Sequence, residues 1–234
     1  MKSKNLTIGI FLLITFAVVL VLIFMPIFGK GRNGLMFSDD FFNSLAKGSS
    51  NYMADMQKLA KPLVGTPVEA QITMSSPRQA QQTEVLYTQA GAQVTVTDEK
   101  LKINGDLGKI LLSSINAAEI MFNNEGAKLE AQYHYAPKMA LKNWWVSFDK
   151  LEGALKKQKK FKDAKVIAEV KKRALEPGYN FYGIVPTSVG DHAGMLIFML
   201  VFYVAYTLWY GYGIFEVFTG IGLGMGKAAH KEEV

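Results

Sequence analysis

The residue whose type and position could do chemistry in this chain is Glu216. The run from Gly194 to Gly226 is apolar throughout, and apart from its tyrosines Glu216 is the one ionisable side chain in it. A carboxylate inside an apolar helix is a functional hypothesis by default, because its charged form is costly in hydrocarbon. Three readings follow: a group at the bilayer interface, a polar contact between helices, or a step on a proton or ion pathway. The remaining chemistry-bearing types are sparse. His134, His192 and His230 stand far apart, without metal-ligand spacing. His192 follows Asp191, which makes either a surface pair or a proton-responsive one. Asp39-Asp40 is an acidic pair at a helix start. The glycines from Gly220 to Gly226 lack the context of a phosphate loop, although Lys227 follows them. No Gly-x-Ser-x-Gly elbow occurs. There is no cysteine, which excludes disulfides, thiolate metal sites and a cysteine nucleophile. None of these patterns calls for a metal or a cofactor, and a non-catalytic protein is expected.

The elements that would position Glu216 are written at both ends of the chain. A bilayer core needs about 20 apolar residues in a helix. Ile8–Phe28 supplies one such run and Gly194–Gly226 a second. Lys2 and Lys4 precede the first, whose length exceeds that of a cleavable signal core, so an uncleaved signal anchor is expected. Lys227 and Lys231 follow the second run, whereas Asp191 and His192 precede it. The bias of Lys and Arg toward the inner side then places both termini in the cytoplasm and residues 30–193 outside. The second run overshoots about 30 Å of hydrocarbon, so its span should cover 195–216 and the rest lie near the inner interface. Its aromatic residues and Gly211, Gly213, Gly220, Gly222 and Gly224 favour contact with other helices, since small residues let backbones approach closely in membranes.

Between the runs the periodicity changes. Gly29–Gly34 reads as a flexible exit, and a helix capped by Ser38 or Asp39 extends toward Pro62, with a break near Gly48-Ser49-Ser50. From Val68 the chain alternates: Val68, Ala70, Ile72 and Met74 against Glu69, Gln71 and Thr73. Pro77 opens a helix that Gly91 ends. Val94 and Val96, then Leu101 and Ile103, alternate on either side of the Asp98-Glu99 turn. Asn104-Gly105-Asp106 makes a turn and cap before a helix to Phe122. Ala127, Leu129, Ala131, Tyr133 and Tyr135 alternate with Lys128, Glu130, Gln132 and His134, which reads as a fourth strand. The order over residues 67–136 is strand, helix, strand, strand, helix, strand, that of a ferredoxin-like α+β domain with a four-stranded antiparallel sheet. One sheet face would be open for solvent or a partner. That fold class hosts unrelated functions.

Within residues 137–177 a helical run extends from after Pro137 to Glu176, about 39 residues, or roughly 58 Å at 1.5 Å per residue. Leu141, Trp144, Phe148, Leu151 and Leu155 form its seam, Gly153 weakens its middle, and Glu176-Pro177-Gly178 stops it. Its second half carries nine basic residues, Lys156, Lys157, Lys159, Lys160, Lys162, Lys165, Lys171, Lys172 and Arg173, against Asp163 and Glu169. They form either a solvated face or a surface for anionic lipid headgroups or an acidic partner. Nucleic acid is not an expected partner on the outer side of a membrane. Residues 178–193 should lie at headgroup level, and 227–234 form a short cytoplasmic tail. With a net charge of +6 and half its residues hydrophobic, the chain reads as two anchors around a polar middle. The leading expectation is a structural or interaction subunit of a membrane complex, with other membrane subunits or copies of itself as partners. An extracytoplasmic ligand-binding or sensor module, and a transport or energy-transducing subunit using Glu216, are the alternatives.

Overall fold

The computed structural model describes residues 2–29 and 31–223. The chain separates into two units, one formed by its first 45 residues with those from Thr187 onward, the other by Ala46–Pro186. The first unit contains α1 (Lys2–Phe24), most of α2 (Gly34–Ser49) and α10 (Ala193–Ile221). Ser3–Phe24 and Ala193–Ile221 are both long and apolar enough to cross a membrane, and hardly any of their surface is buried. α10 runs without a break past residue 216 and ends at Gly222, whose φ of 87° is the left-handed cap that glycine supplies most readily. α2 begins earlier than its sequence suggests. Asn33 Oδ1 accepts from the Met36 amide at 2.8 Å, so Asn33, not Ser38 or Asp39, satisfies the free amides of the first turn. Asp40 lies within the helix and pairs with Arg32.

The second unit is mostly helical. After α3 (Met53–Ala60) and a short 3-10 turn come β1 (Pro67–Thr73), α4 (Pro77–Gln89), β2 (Gln93–Thr97), β3 (Lys100–Asp106) and α5 (Leu107–Phe122). The helix-start signals here are obeyed, but Asn104-Gly105-Asp106 is not a turn: it continues β3, with Asn104, Gly105 and Asp106 opposite Glu69, Val68 and Pro67. Ser76 accepts from the Gln79 amide and Pro77 occupies the first turn of α4. Asp106 accepts from the amides of Lys109 at 3.1 Å and Gly65 at 2.7 Å, closing the start of α5 and the approach to β1 together. Val68, Ala70, Ile72, Leu101 and Ile103 are buried, while Glu69, Gln71, Thr73, Lys100 and Lys102 stay exposed. β3 is central, antiparallel to β1 with Ala70 opposite Ile103, and to β2 with Val94 opposite Ile103.

The sheet has three strands, in the order β1-β3-β2, and the four-stranded ferredoxin-like expectation is overturned. Residues Gly126–Tyr133 form α6 instead of a fourth strand. The alternation there was carried by two residues that also fit a helix. Leu129 and Tyr133, four apart, are buried on one face of α6, and Gly126 lies on the same side. Ala127 and Ala131, which completed the strand pattern, are exposed, and alanine is the best helix former. Lys128, Glu130 and Gln132 therefore leave the sheet's polar face. His134 becomes the left-handed residue that ends α6, at φ 60°.

α7 (Pro137–Lys157) takes the place over β1 that the expected order would give to α5, while α4 covers β2 and β3. Leu141, Trp144, Phe148, Leu151 and Leu155 are all buried along it. The Tyr87 hydroxyl of α4 meets Ser147 of α7 at 3.1 Å, and the Tyr87 and Trp144 rings lie 5.0 Å apart. The helical run breaks at Lys159, φ 63°, not at Gly153. α8 (Phe161–Val170) then passes through a π-turn, Lys171–Leu175, into α9 (Glu176–Asn180). Pro177 thus lies within a continuous helical run, directly after the π-turn, and does not end it. Gly178 is buried, and a Cβ on it would meet Ala118 O at 2.7 Å, so α9 rests directly on the backbone of α5.

Candidate functional site

Glu216 is 8% exposed and lies on the side of α10 that faces α1. The two helices run antiparallel and touch backbone to backbone at this end. A Cβ on Gly9 would come within 2.6 Å of the Val217 nitrogen, and one on Gly220 within 2.6 Å of the Leu6 nitrogen. Gly213 lies against Leu13. Farther along, Tyr206 donates to Phe16 O and Trp209 Nε1 donates to Leu12 O, each at 3.1 Å. Phe16 stacks on Tyr206 at 4.2 Å. These bonds go to carbonyls that lie within α1. Tyr212 lies one turn before Glu216 on α10. Glu216 thus sits level with the first three turns of α1, beside the places where the two backbones approach most closely.

Of the glycines singled out above, Gly213 and Gly220 lie in this seam. Gly211 is exposed with nothing within 4 Å of a Cβ, Gly222 caps α10, and Gly224 lies outside the described residues. Their partner Gly9 was not singled out. The signal was present, because Gly9 is the one glycine in the first apolar run.

Beyond Phe16 and Tyr206, α1, α10 and α2 border an apolar groove of about 900 Å³. Ile23, Phe24, Phe42, Phe198, Phe202 and Tyr206 are among its walls, and Ser38 is its one non-tyrosine hydroxyl. The return segment is tied to α2 beside it: Ser44 Oγ lies 2.7 Å from Thr187 Oγ1, and the Thr187 amide donates to Ser44 O. His192 faces the Phe41 ring at 6.1 Å, while Asp191 and His192 are both exposed. His230, Lys227 and Lys231 lie outside the described residues, as does Lys30.

Within the second unit one charge is deeply buried. Lys47 is 2% exposed. Its ammonium donates to Ile184 O at 2.6 Å, Phe181 O at 3.0 Å and Asn124 Oδ1 at 3.1 Å, with the Phe122 ring 5.1 Å away. Burial lowers its pKa from the usual lysine range. Phe181 and Asn124 stand just past the C-termini of α9 and α5, where the helix dipoles place partial negative charge. Carbonyl oxygens and dipole ends replace a counter-ion, and Lys47 clasps the segment that enters this unit to the one that leaves it. The sequence marks only a helix break here, near Gly48-Ser49-Ser50, and gives no sign that Lys47 is buried.

The basic run divides into two sets. Lys171 is held by Asp149 at 2.7 Å and Glu152 at 3.1 Å, over the Trp145 ring. Burial opposes its charge, yet those two hydrogen bonds raise its pKa above the ordinary value. Lys156 pairs with Glu152, and Arg173 with Glu169. Lys157, Lys159, Lys160, Lys162 and Lys165 surround the α7–α8 corner and, with Lys172, have no ion pair among the described residues.

A cleft of about 330 Å³ beside Trp145 and Tyr179 contains Glu176, whose carboxylate already accepts from the Trp145 indole at 3.0 Å. Among the described residues no three His, Asp or Glu side chains gather to hold a metal ion. Compared with known proteins, the chain matches no family model, no curated protein and no solved structure.

Proposed function

We propose that this chain is a non-catalytic, membrane-anchored interaction subunit of a larger membrane assembly. α1 and α10 cross the bilayer as an antiparallel pair, both termini are cytoplasmic, and the unit from Ala46 to Pro186 is displayed outside. The observation that carries the reading is the groove bordered by α1, α2 and α10. Its walls are apolar and aromatic over about 900 Å³, and it continues from a seam that the chain's own helices have already closed. An apolar helix of another membrane subunit has the chemistry and dimensions to complete it. Glu216 belongs to the closed end, where it serves the pairing of α1 with α10.

Co-purification from native membranes in a mild detergent tests this reading. A defined partner should accompany the wild-type chain and be lost from Phe198→Ala/Phe202→Ala, which widens the groove without touching Gly9, Gly213 or Gly220. Recovery of the wild-type chain as a partnerless monomer would overturn it. Protease added to sealed cells tests the orientation separately, since it should cut between Ala46 and Pro186 and spare both ends.

A further inference from the structure

The corner between α7 and α8 is built unlike the rest of the Ala46–Pro186 surface. Phe161 opens α8 and is 62% exposed, more than any other large aromatic side chain in that unit. Lys157, Lys159 and Lys160 precede it, and Lys162 and Lys165 follow it. Each of the five lacks an ion pair among the described residues, and the one carboxylate in the same stretch is Asp163. Lys159 also holds a left-handed backbone, φ 63°, which glycine or asparagine would adopt more readily. A solubilising surface needs neither the projecting ring nor a lysine at that position.

We propose that this corner docks onto an anionic bilayer surface, with Phe161 entering below the headgroups and the five lysines engaging lipid phosphates. Charge complementarity selects the partner. Lysine ammonium groups on four-carbon stems reach a layer of phosphates, and the aromatic ring reaches the apolar boundary beneath it. Lysines stand on both sides of the ring in sequence, which suits a plane of anions; an acidic protein would have to bring a pocket for the ring. The proposal deepens the anchored reading above, from which it takes the nearness of a bilayer. It adds a second, reversible membrane contact made by the displayed unit.

The test uses the full chain held in nanodiscs of neutral lipid, mixed with sucrose-loaded vesicles of either neutral lipid or neutral lipid with about one-third anionic phosphatidylglycerol. Co-elution of the chain with nanodisc lipid reports on the anchored reading by itself. The chain should sediment with anionic vesicles and not with neutral ones, and added salt should release it. Phe161→Asp should lower binding at least five-fold, Phe161→Leu should keep it, and glutamine at all five lysines should remove it. Because the sequence has no cysteine, Phe161→Cys accepts a single environment-sensitive dye, whose emission should shift to the blue only with anionic vesicles. Equal binding to neutral and anionic vesicles, or unchanged binding by Phe161→Asp, overturns the proposal. So does a dye response to polyglutamate in place of anionic lipid.

Discussion

The α1–α10 pair and the unit from Ala46 to Pro186 are joined internally by opposite means. In the latter, large side chains do the joining: Trp144, Tyr87, Phe148, Leu101 and Ile115 are buried almost completely, and the apolar area they remove from water is the driving force. In the pair, side chains are missing where contact is closest. Gly9, Gly213 and Gly220 bring backbones together, and the outward apolar surface stays uncovered. On the membrane-anchored reading proposed above, the difference follows from the solvent each region is built for. Water rewards burial of apolar area. Hydrocarbon does not distinguish a leucine from a lipid tail, so helices adhere through close packing and the hydrogen bonds of Tyr206 and Trp209.

Substitutions can break this contrast. Trp144→Ala removes the largest buried side chain and should cost about 3–5 kcal/mol. Thermal unfolding followed by near-ultraviolet circular dichroism should show it, while the α1–α10 contact, read by cross-linking between engineered cysteines, stays intact. The reverse experiment is Gly9→Leu. Its side chain would enter the Val217 backbone, and overpacking of roughly 1–3 kcal/mol should fall on the helix pair alone. Gly211→Leu, at an open position of the same helix, should leave that cross-link unchanged. A loss of pairing from both variants would mean that apolar volume, not close approach, sets the contact.

The clasp at Lys47 sharpens the comparison, because it is, among the described residues, the one buried charge in a core whose other buried polar side chains, Thr83, Ser114, Asn143 and Ser147, are neutral. Lys47→Met keeps the stem but removes the charged donor shared by the carbonyls of Phe181 and Ile184, which retain only the Ile184 amide and the Asn124 side-chain amide respectively. A loss of roughly 1–3 kcal/mol is expected, with hydrogen exchange rising first at residues 181–184. The smallest effect should come from Asp106. Burial pushes its carboxyl up, but the amides of Gly65, Lys109 and Gly108 outweigh this and hold it below its ordinary 3.8. A depressed carboxylate stabilises the fold above 3.8, and that stability is lost as pH falls through the lower folded value. Asp106→Ala should cost about 1 kcal/mol at neutral pH, and the gap between the two melting curves should narrow in that acid range.

The linear order of residues determined the two apolar helices, the three alternating strands, the starts at Ser76-Pro77 and Asp106, and the buried seam from Leu141 to Leu155. Each of these is a local matter: the period of burial and the chemistry of a cap act over a few neighbouring residues. Tertiary structure decided the rest. Leu129 and Tyr133 satisfy both a strand and a helix, and the choice fell to the elements around them, with α7 occupying the layer over β1. The break at Lys159 in place of Gly153, the passage of the helix through Pro177, and the burial of Lys47 depend on partners distant along the chain. Glycines mark where close approach is permitted, but only the register of α1 against α10 selected Gly9, Gly213 and Gly220 and left Gly211 open. A contact is a property of two segments, and the period of one segment cannot specify its mate.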